Sequence, residues 1–156
     1  MDEQTLSAII ERYFNVVKKA EALIKTEISE ELTKDQHAVL RFIKANGQCT
    51  SSQLAKAFFV KKSAITAIVN RLAEKNIIAR QRDANDRRVV YLTLTDYGEK
   101  LYQHCSENIR TLAASLTSYF KQDEVKAFLN IYEKLDQILD QKINDALKGV
   151  KNEVHT

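Results

Sequence analysis

Between residues 50 and 98 the spacing of apolar residues switches from a helical to a strand period and back, which constrains the fold more than any other feature of the chain. Thr50-Ser51-Ser52-Gln53 has the Thr-x-x-Gln form of a capping box, in which hydroxyl and amide satisfy backbone N–H groups at a helix start. It predicts a short helix with Leu54, Ala55 and Phe58 inward. Another helix, beginning near Lys61 or Lys62, carries Ile65, Ile68, Val69 and Leu72 on one face. Between Ile77 and Leu94 the period falls to two, with Val90, Leu92 and Leu94 alternating with Tyr91 and Thr93 as in a half-buried strand. Asp83-Ala84-Asn85-Asp86 joins two such strands into a hairpin, and Thr95 caps the helix that follows. Helix, helix and hairpin in that order make a winged helix-turn-helix.

The flanks are helical. Leu6, Ile9, Ile10, Tyr13, Val17, Ala20 and Ile24 form one stripe on a helix from about residue 3 to residue 28. A second Thr-x-x-Gln box, Thr33 to Gln36, opens a helix with Ala38, Val39, Phe42 and Ile43 inward, stopped by Asn46-Gly47. Beyond Thr95, Leu101, Cys105, Ile109, Leu112, Leu116 and Phe120 keep the helical period, and a last helix carries Val125, Phe128, Tyr132, Leu135, Ile138 and Leu139. With no Pro and only three Gly to interrupt them, these helices should be long. The expected class is therefore mainly α with a small β wing: a winged helix-turn-helix flanked by long N- and C-terminal dimerisation helices. We divide it into residues 1–32 (N-terminal dimerisation helix), 33–95 (winged helix-turn-helix), 96–148 (C-terminal dimerisation helices) and a polar tail, 149–156. The terminal stripes are too apolar for a monomer, so a homodimer is expected, its two heads about one duplex turn apart.

Several function classes are excluded as expectations. No apolar run approaches the ~18 residues of a membrane span, and Met1-Asp2-Glu3 is acidic where a signal peptide is basic, so a cytoplasmic protein without a membrane partner is expected. His37, His104 and the third histidine lie in unrelated elements with no catalytic motif, which argues against an enzyme and implies no cofactor. The zinc candidates, His37, Cys49, His104, Cys105 and Glu107, do not converge, since adjacent helical residues such as His104 and Cys105 point about 100° apart. Cys49 and Cys105 are read as free thiols.

Charge singles out the middle. Residues 50–95 carry nine bases against three acids, a net +6, whereas residues 1–49 carry seven against eight and residues 96–147 six against nine. A concentrated basic segment is the footprint of phosphate binding, because each neutralised phosphate releases counterions. In a helix-turn-helix the second helix enters the major groove. Its outward positions here, Lys62, Ser63, Ala64, Thr66, Ala67, Asn70 and Arg71, supply hydroxyl and amide groups for base edges, methyl groups for thymine and cations for phosphate or guanine. At the hairpin tip Arg87 and Arg88 suit a minor groove, and Asp86 is placed to pair with Arg88 and set its direction.

The hairpin also carries a motif. Asp86-Arg87-Arg88, three residues, Leu92-Thr93-Leu94-Thr95, two residues and Gly98 have the form Asp-x-Arg, x3, Leu-x-Leu-Thr, x2, Gly. This pattern resembles that of the multiple-antibiotic-resistance regulator (MarR) family of bacterial transcription factors, and the run Ser63 to Leu72 looks like that family's reading helix. The resemblance implies a homodimer on a pseudo-palindromic double-stranded DNA operator, usually as a repressor. Carried over by position, Ser63, Ala64, Thr66, Asn70 and Arg71 face the major groove, and Arg88 enters the minor groove steered by Asp86. Lys61 departs from the Ser or Thr that often starts the helix, and adds a candidate phosphate contact.

Control is less legible. The resemblance implies release by a small apolar or aromatic effector, with Tyr13, Phe14 and His37 as candidate lining. A thiol-redox alternative rests on Cys49, read as an accessible residue in a polar turn before the Thr50 cap, where a helix N-terminus lowers a thiol's pKa. A winged helix used only for protein–protein interaction is the other alternative, distinguished by weak salt dependence.

Overall fold

The computed structural model describes residues 2–153, with side chains through residue 146. In chain order the described elements are α1 (Glu3–Glu27), α2 (Lys34–Asn46), β1 (Cys49–Thr50), α3 (Ser51–Ala57), α4 (Lys62–Glu74), β2 (Ile78–Arg82), β3 (Val90–Leu94), α5 (Asp96–Thr117) and α6 (Gln122–Glu153).

Both capping boxes form. The Thr33 hydroxyl accepts the Gln36 N–H at 3.2 Å while the Gln36 side-chain Oε1 accepts the Thr33 N–H at 2.9 Å, and Thr50 and Gln53 repeat the exchange at 3.2 and 2.8 Å. Each pair satisfies two N–H groups that a helix start leaves open. Gly47 ends α2 at φ +73°, on the side of the backbone map that side chains avoid. The three-stranded antiparallel sheet has the order β1-β3-β2, with Ile78 opposite Leu94, Arg80 opposite Leu92 and Arg82 opposite Val90.

β1 was not expected. Cys49 and Thr50 pair with Leu92 and Tyr91, so Cys49 is a buried residue of the sheet rather than part of an open turn. Two residues are too few to show a strand's alternation, and the pairing depends on β3, forty residues away.

The chain divides into two compact units, Met1–Leu112 and Ala113–Thr156. In the first, Val39, Leu40 and Ile43 of α2, Leu54 of α3, Ile65, Val69 and Leu72 of α4, Ile78 and Leu92 of the sheet and Cys105 of α5 form one buried cluster. Fully burying each large apolar side chain contributes about 1.5–3 kcal/mol. The cluster includes Ile28 and Leu32 as well as Leu101 and Cys105, so it extends beyond residues 33–95 at both ends. α1 has no buried residue; Leu6, Ile9, Ile10, Tyr13 and Phe14 stand exposed along it. In the second unit α6 runs through Gly149 to Glu153, five residues into the segment read as a tail, and residues 154–156 lie outside the described residues. Its Phe128, Leu129, Ile131, Tyr132, Leu135 and Leu139 are exposed. No helix among the described residues is long and apolar enough to cross a membrane.

The spacing of Leu92, Thr95 and Gly98 has a packing cause. Leu92 is buried in the core. The Thr95 hydroxyl lies 2.7 Å from the Asn76 carbonyl and accepts the Gly98 N–H at 3.0 Å, while the Thr95 N–H donates to the Ile77 carbonyl at 3.1 Å. A Cβ on Gly98 would lie 2.0 Å from that Ile77 oxygen, so only glycine lets α5 start this close to the strand.

Candidate nucleic-acid interface

α4 is amphipathic for a simple reason. Ile65, Val69 and Leu72, at steps of four and three, are buried, and the opposite face is left outside. Lys62, Ser63, Ala64, Thr66, Ala67, Asn70 and Arg71 are all exposed. The helix starts at Lys61, which is exposed and makes no side-chain cap. The Thr66 hydroxyl donates to the Lys62 carbonyl at 2.9 Å, which leaves its lone pairs and methyl group outward. The Asn70 amide is held by Arg80 of β2, whose Nη2 donates to Asn70 Oδ1.

The wing is wired from within. Asp83 Oδ1 accepts the N–H groups of Asn85 and Asp86, both at 2.8 Å, and Val89 closes the loop through N–H···O bonds with Asp83 and Asp86. Asp86 accepts the Arg88 backbone N–H at 3.0 Å and also takes the guanidinium as a fork, Nε at 3.0 Å and Nη2 at 3.1 Å. This pairing holds the Asp86 carboxyl below the usual carboxylate range and raises the Arg88 guanidinium further. Three of the five guanidinium N–H donors remain free, and the Arg88 side chain is 92% exposed. The carboxylate therefore orients the arginine without covering it. Arg87 is likewise exposed.

Lys62 of α4 and Arg88 of the wing border one open cleft of about 360 Å³, with Thr50, Ser51 and Ser52 at the start of α3 along its third side. Its lining has hydroxyls and two cations and no carboxylate. Such a surface offers hydrogen-bond donors and positive charge to an anion.

Residues 32–90 match the MarR family model. Over 124 residues the chain is 32% identical to the HTH-type transcriptional repressor MdtR of Bacillus subtilis, covering 78% of this chain and 80% of that protein. The chain belongs to the MarR family of transcriptional regulators. Among solved structures, a mutant MarR from E. coli complexed with operator DNA is similar at a TM-score of 0.71, 26% identical, over 86% of this chain and 99% of that one. A MarR family protein from Bacillus stearothermophilus, 24% identical, shares the fold at a TM-score of 0.74 over 90% of this chain and 99% of the other.

In this MarR-family chain the candidate residues of α4 are exposed and Lys62 meets Arg88 at one cleft, whereas the expected control residues do not gather. Tyr13 and Phe14 stand more than half exposed on α1, edge to face with each other at 5.3 Å. His37 is instead buried in α2 and stacked on Tyr102 of α5, with ring centroids 5.9 Å apart. The chain therefore does not by itself assemble the three as a common lining. Burial and the nearby Arg41 push the His37 imidazole below its ordinary pKa, and its Nε2 has no hydrogen-bond partner among the described residues. Cys49, expected to be accessible and acidic, is 1% exposed, and burial pushes its thiol up to about 11. The premise of the redox reading fails: desolvation of the thiolate outweighs any pull from the α3 N-terminus. Among the described residues no three His, Cys, Asp or Glu side chains gather as a metal site.

Sequence reasoning missed Arg80. It was counted among the nine bases but given no place. The signal was the two-residue step from Ile78: the buried Ile78 and Arg80 share a face of β2, and the partner of Arg80 across the sheet is the buried Leu92. Arg80 thus emerges at the rim of the helix-covered face, beside Asn70.

Proposed function

We propose that this MarR-family chain is a homodimeric regulator that binds a pseudo-palindromic DNA operator, as a repressor released by a small apolar or aromatic ligand. The observation that carries the DNA-binding part is the cleft in which Lys62 at the start of α4 meets the Asp86-oriented Arg88 of the wing, with no carboxylate in its lining. Ser63, Ala64, Thr66, Asn70 and Arg71 read the major groove, Arg88 enters the minor groove, and Lys61, Lys62 and Arg87 contact phosphates. Residues 33–95 supply this head. The exposed apolar stripes of α1 and α6 supply the dimer surface, since stripes of that size are covered by a partner in a stable protein. The repressor named MdtR and the operator complex of E. coli MarR support the reading.

Selection from a random-sequence DNA pool by the purified protein tests it. An enriched inverted repeat is expected, its affinity falling steeply with salt and lost in Arg88→Ala while the dimer persists. Absence of any enriched sequence, or an Arg88→Ala protein that binds as well as the parent, would refute the reading. The effector is tested separately, by screening aromatic acids for release of the selected DNA.

A further inference from the structure

We propose that Arg80 is a positioning residue that turns Asn70 into a hydrogen-bond donor toward the major groove, so that this point of the reading helix selects guanine over adenine. The proposal rests on the DNA-binding reading and deepens it.

A guanidinium has donors and no acceptor, so the amide atom facing Arg80 Nη2 is the oxygen. The free end of Asn70 is therefore Nδ2 with its two N–H groups. Asparagine ordinarily reads adenine with both ends, the oxygen accepting from N6 and the nitrogen donating to N7. That contact needs the amide plane aligned with the base edge and the oxygen turned toward it, whereas Arg80 takes one of the oxygen's two lone pairs and turns the oxygen toward β2. Guanine presents two acceptors in the major groove, N7 and O6, which match an amide whose oxygen is turned to Arg80 and whose N–H groups face away from it.

Three features make this arrangement more than a chance surface bond. Asn70 shares the exposed face of α4 with Ser63, Thr66 and Ala67, one helical turn beyond Thr66. Arg80 is carried by a paired strand in defined register, opposite the buried Leu92, so its backbone cannot drift from α4. The ion pairs among the described residues are Lys34–Glu21, Lys44–Glu99 and Arg88–Asp86, so no described carboxylate draws Arg80 elsewhere. Its remaining donors are free for a phosphate, which would hold it in place on DNA.

The test is the same random-pool selection carried out with the full chain and with Asn70→Ala, Arg80→Ala and Arg80→Lys, alongside melting temperature and dimer mass. Asn70→Ala is expected to flatten one column in each half-site, a column where the parent selects guanine. Arg80→Ala frees the amide oxygen and is expected to shift that column toward adenine, by roughly tenfold in the guanine-to-adenine ratio. Arg80→Lys, which still donates, is expected to restore guanine in part. Melting temperature and dimer mass should stay unchanged. Adenine in the parent's column, or a column unaltered in Arg80→Ala, overturns the proposal. So does uniform weakening of every column, which marks a phosphate contact alone. These failures leave the DNA reading standing, whereas a parent that enriches no sequence removes both.

Discussion

Replacing Gly98 with alanine tests whether the end of the family motif is structural. The added Cβ would lie 2.0 Å from the Ile77 carbonyl oxygen and 3.3 Å from Ile77 Cγ2. Even the tightest real contacts need about 3 Å, so α5 must back away from the strand by roughly 1 Å. Two hydrogen bonds cross the gap, the Thr95 N–H to Ile77 O at 3.1 Å and the Thr95 hydroxyl to Asn76 O at 2.7 Å. Such a shift stretches them past useful length, at about 0.5–1.5 kcal/mol each, and forced overpacking adds about 1–3 kcal/mol. The expected destabilisation is therefore about 2–6 kcal/mol, or a melting temperature lower by about 4 °C or more for a chain of this size. Gly47→Ala is the control. Gly47 also needs a positive φ, +73°, but nothing lies within 4 Å of its would-be Cβ, so the cost is backbone strain alone, about 1–3 kcal/mol. Thermal unfolding by circular dichroism at fixed protein concentration compares the three proteins. A Gly98→Ala protein that melts within about 2 °C of the parent, or no lower than Gly47→Ala, would show that the close approach does not carry the fold.

Other predictions follow from the same geometry. Lys61→Ser supplies the missing cap on α4 and removes a cation; stability is expected to rise by about 1 kcal/mol while operator binding weakens and its salt slope falls by about 1. An unchanged slope would remove Lys61 from the phosphate contacts. Cys49, with a thiol pKa of about 11 and 1% exposure, should resist alkylation at neutral pH in the folded protein and react only on unfolding. Modification at the rate of a free thiol would restore the redox reading. His37 is depressed in the folded state, so the unfolded chain binds the proton first as pH falls through the ordinary value of 6.5. The stability it contributes is present above that pH and is lost below it, down to the folded pKa. His37→Phe, which keeps the stack on Tyr102, is expected to flatten the acid slope of stability, and equal slopes in the two proteins would exclude His37 as its source.

The parts of the fold legible in the sequence were those with a local cause. Thr33-Gln36 and Thr50-Gln53 announce two helix starts because both partners of each bond lie within four residues, and the structure forms both boxes. Ile65, Val69 and Leu72 fix which face of α4 is outward for the same reason: the helix period alone decides it. β1 was illegible because its two residues acquire strand geometry only from Leu92 and Tyr91, and with it went the burial of Cys49. His37 was misplaced similarly. Its partner Tyr102 lies far along the chain, so no local pattern distinguishes a histidine under α5 from one lining an open pocket.

The reading surface shows a subtler division. A helical wheel places Asn70 outside, and a charge count places Arg80 in the basic segment, but neither shows which end of the amide faces outward. That depends on where β2 begins after α4, which the turn through Lys75, Asn76 and Ile77 determines. Asn76 takes a positive φ of 55°, and the Ile77 N–H returns to the Leu72 carbonyl at 2.9 Å. The same turn supplies the Asn76 and Ile77 carbonyls that receive Thr95. One short connection therefore seats α5 against the sheet and brings Arg80 to Asn70, so the geometry that positions the wing also sets the hydrogen-bond polarity at one position of the reading helix. Disturbing the turn should alter base choice at that column before it alters overall affinity, because the remaining reading and wing contacts do not pass through Arg80.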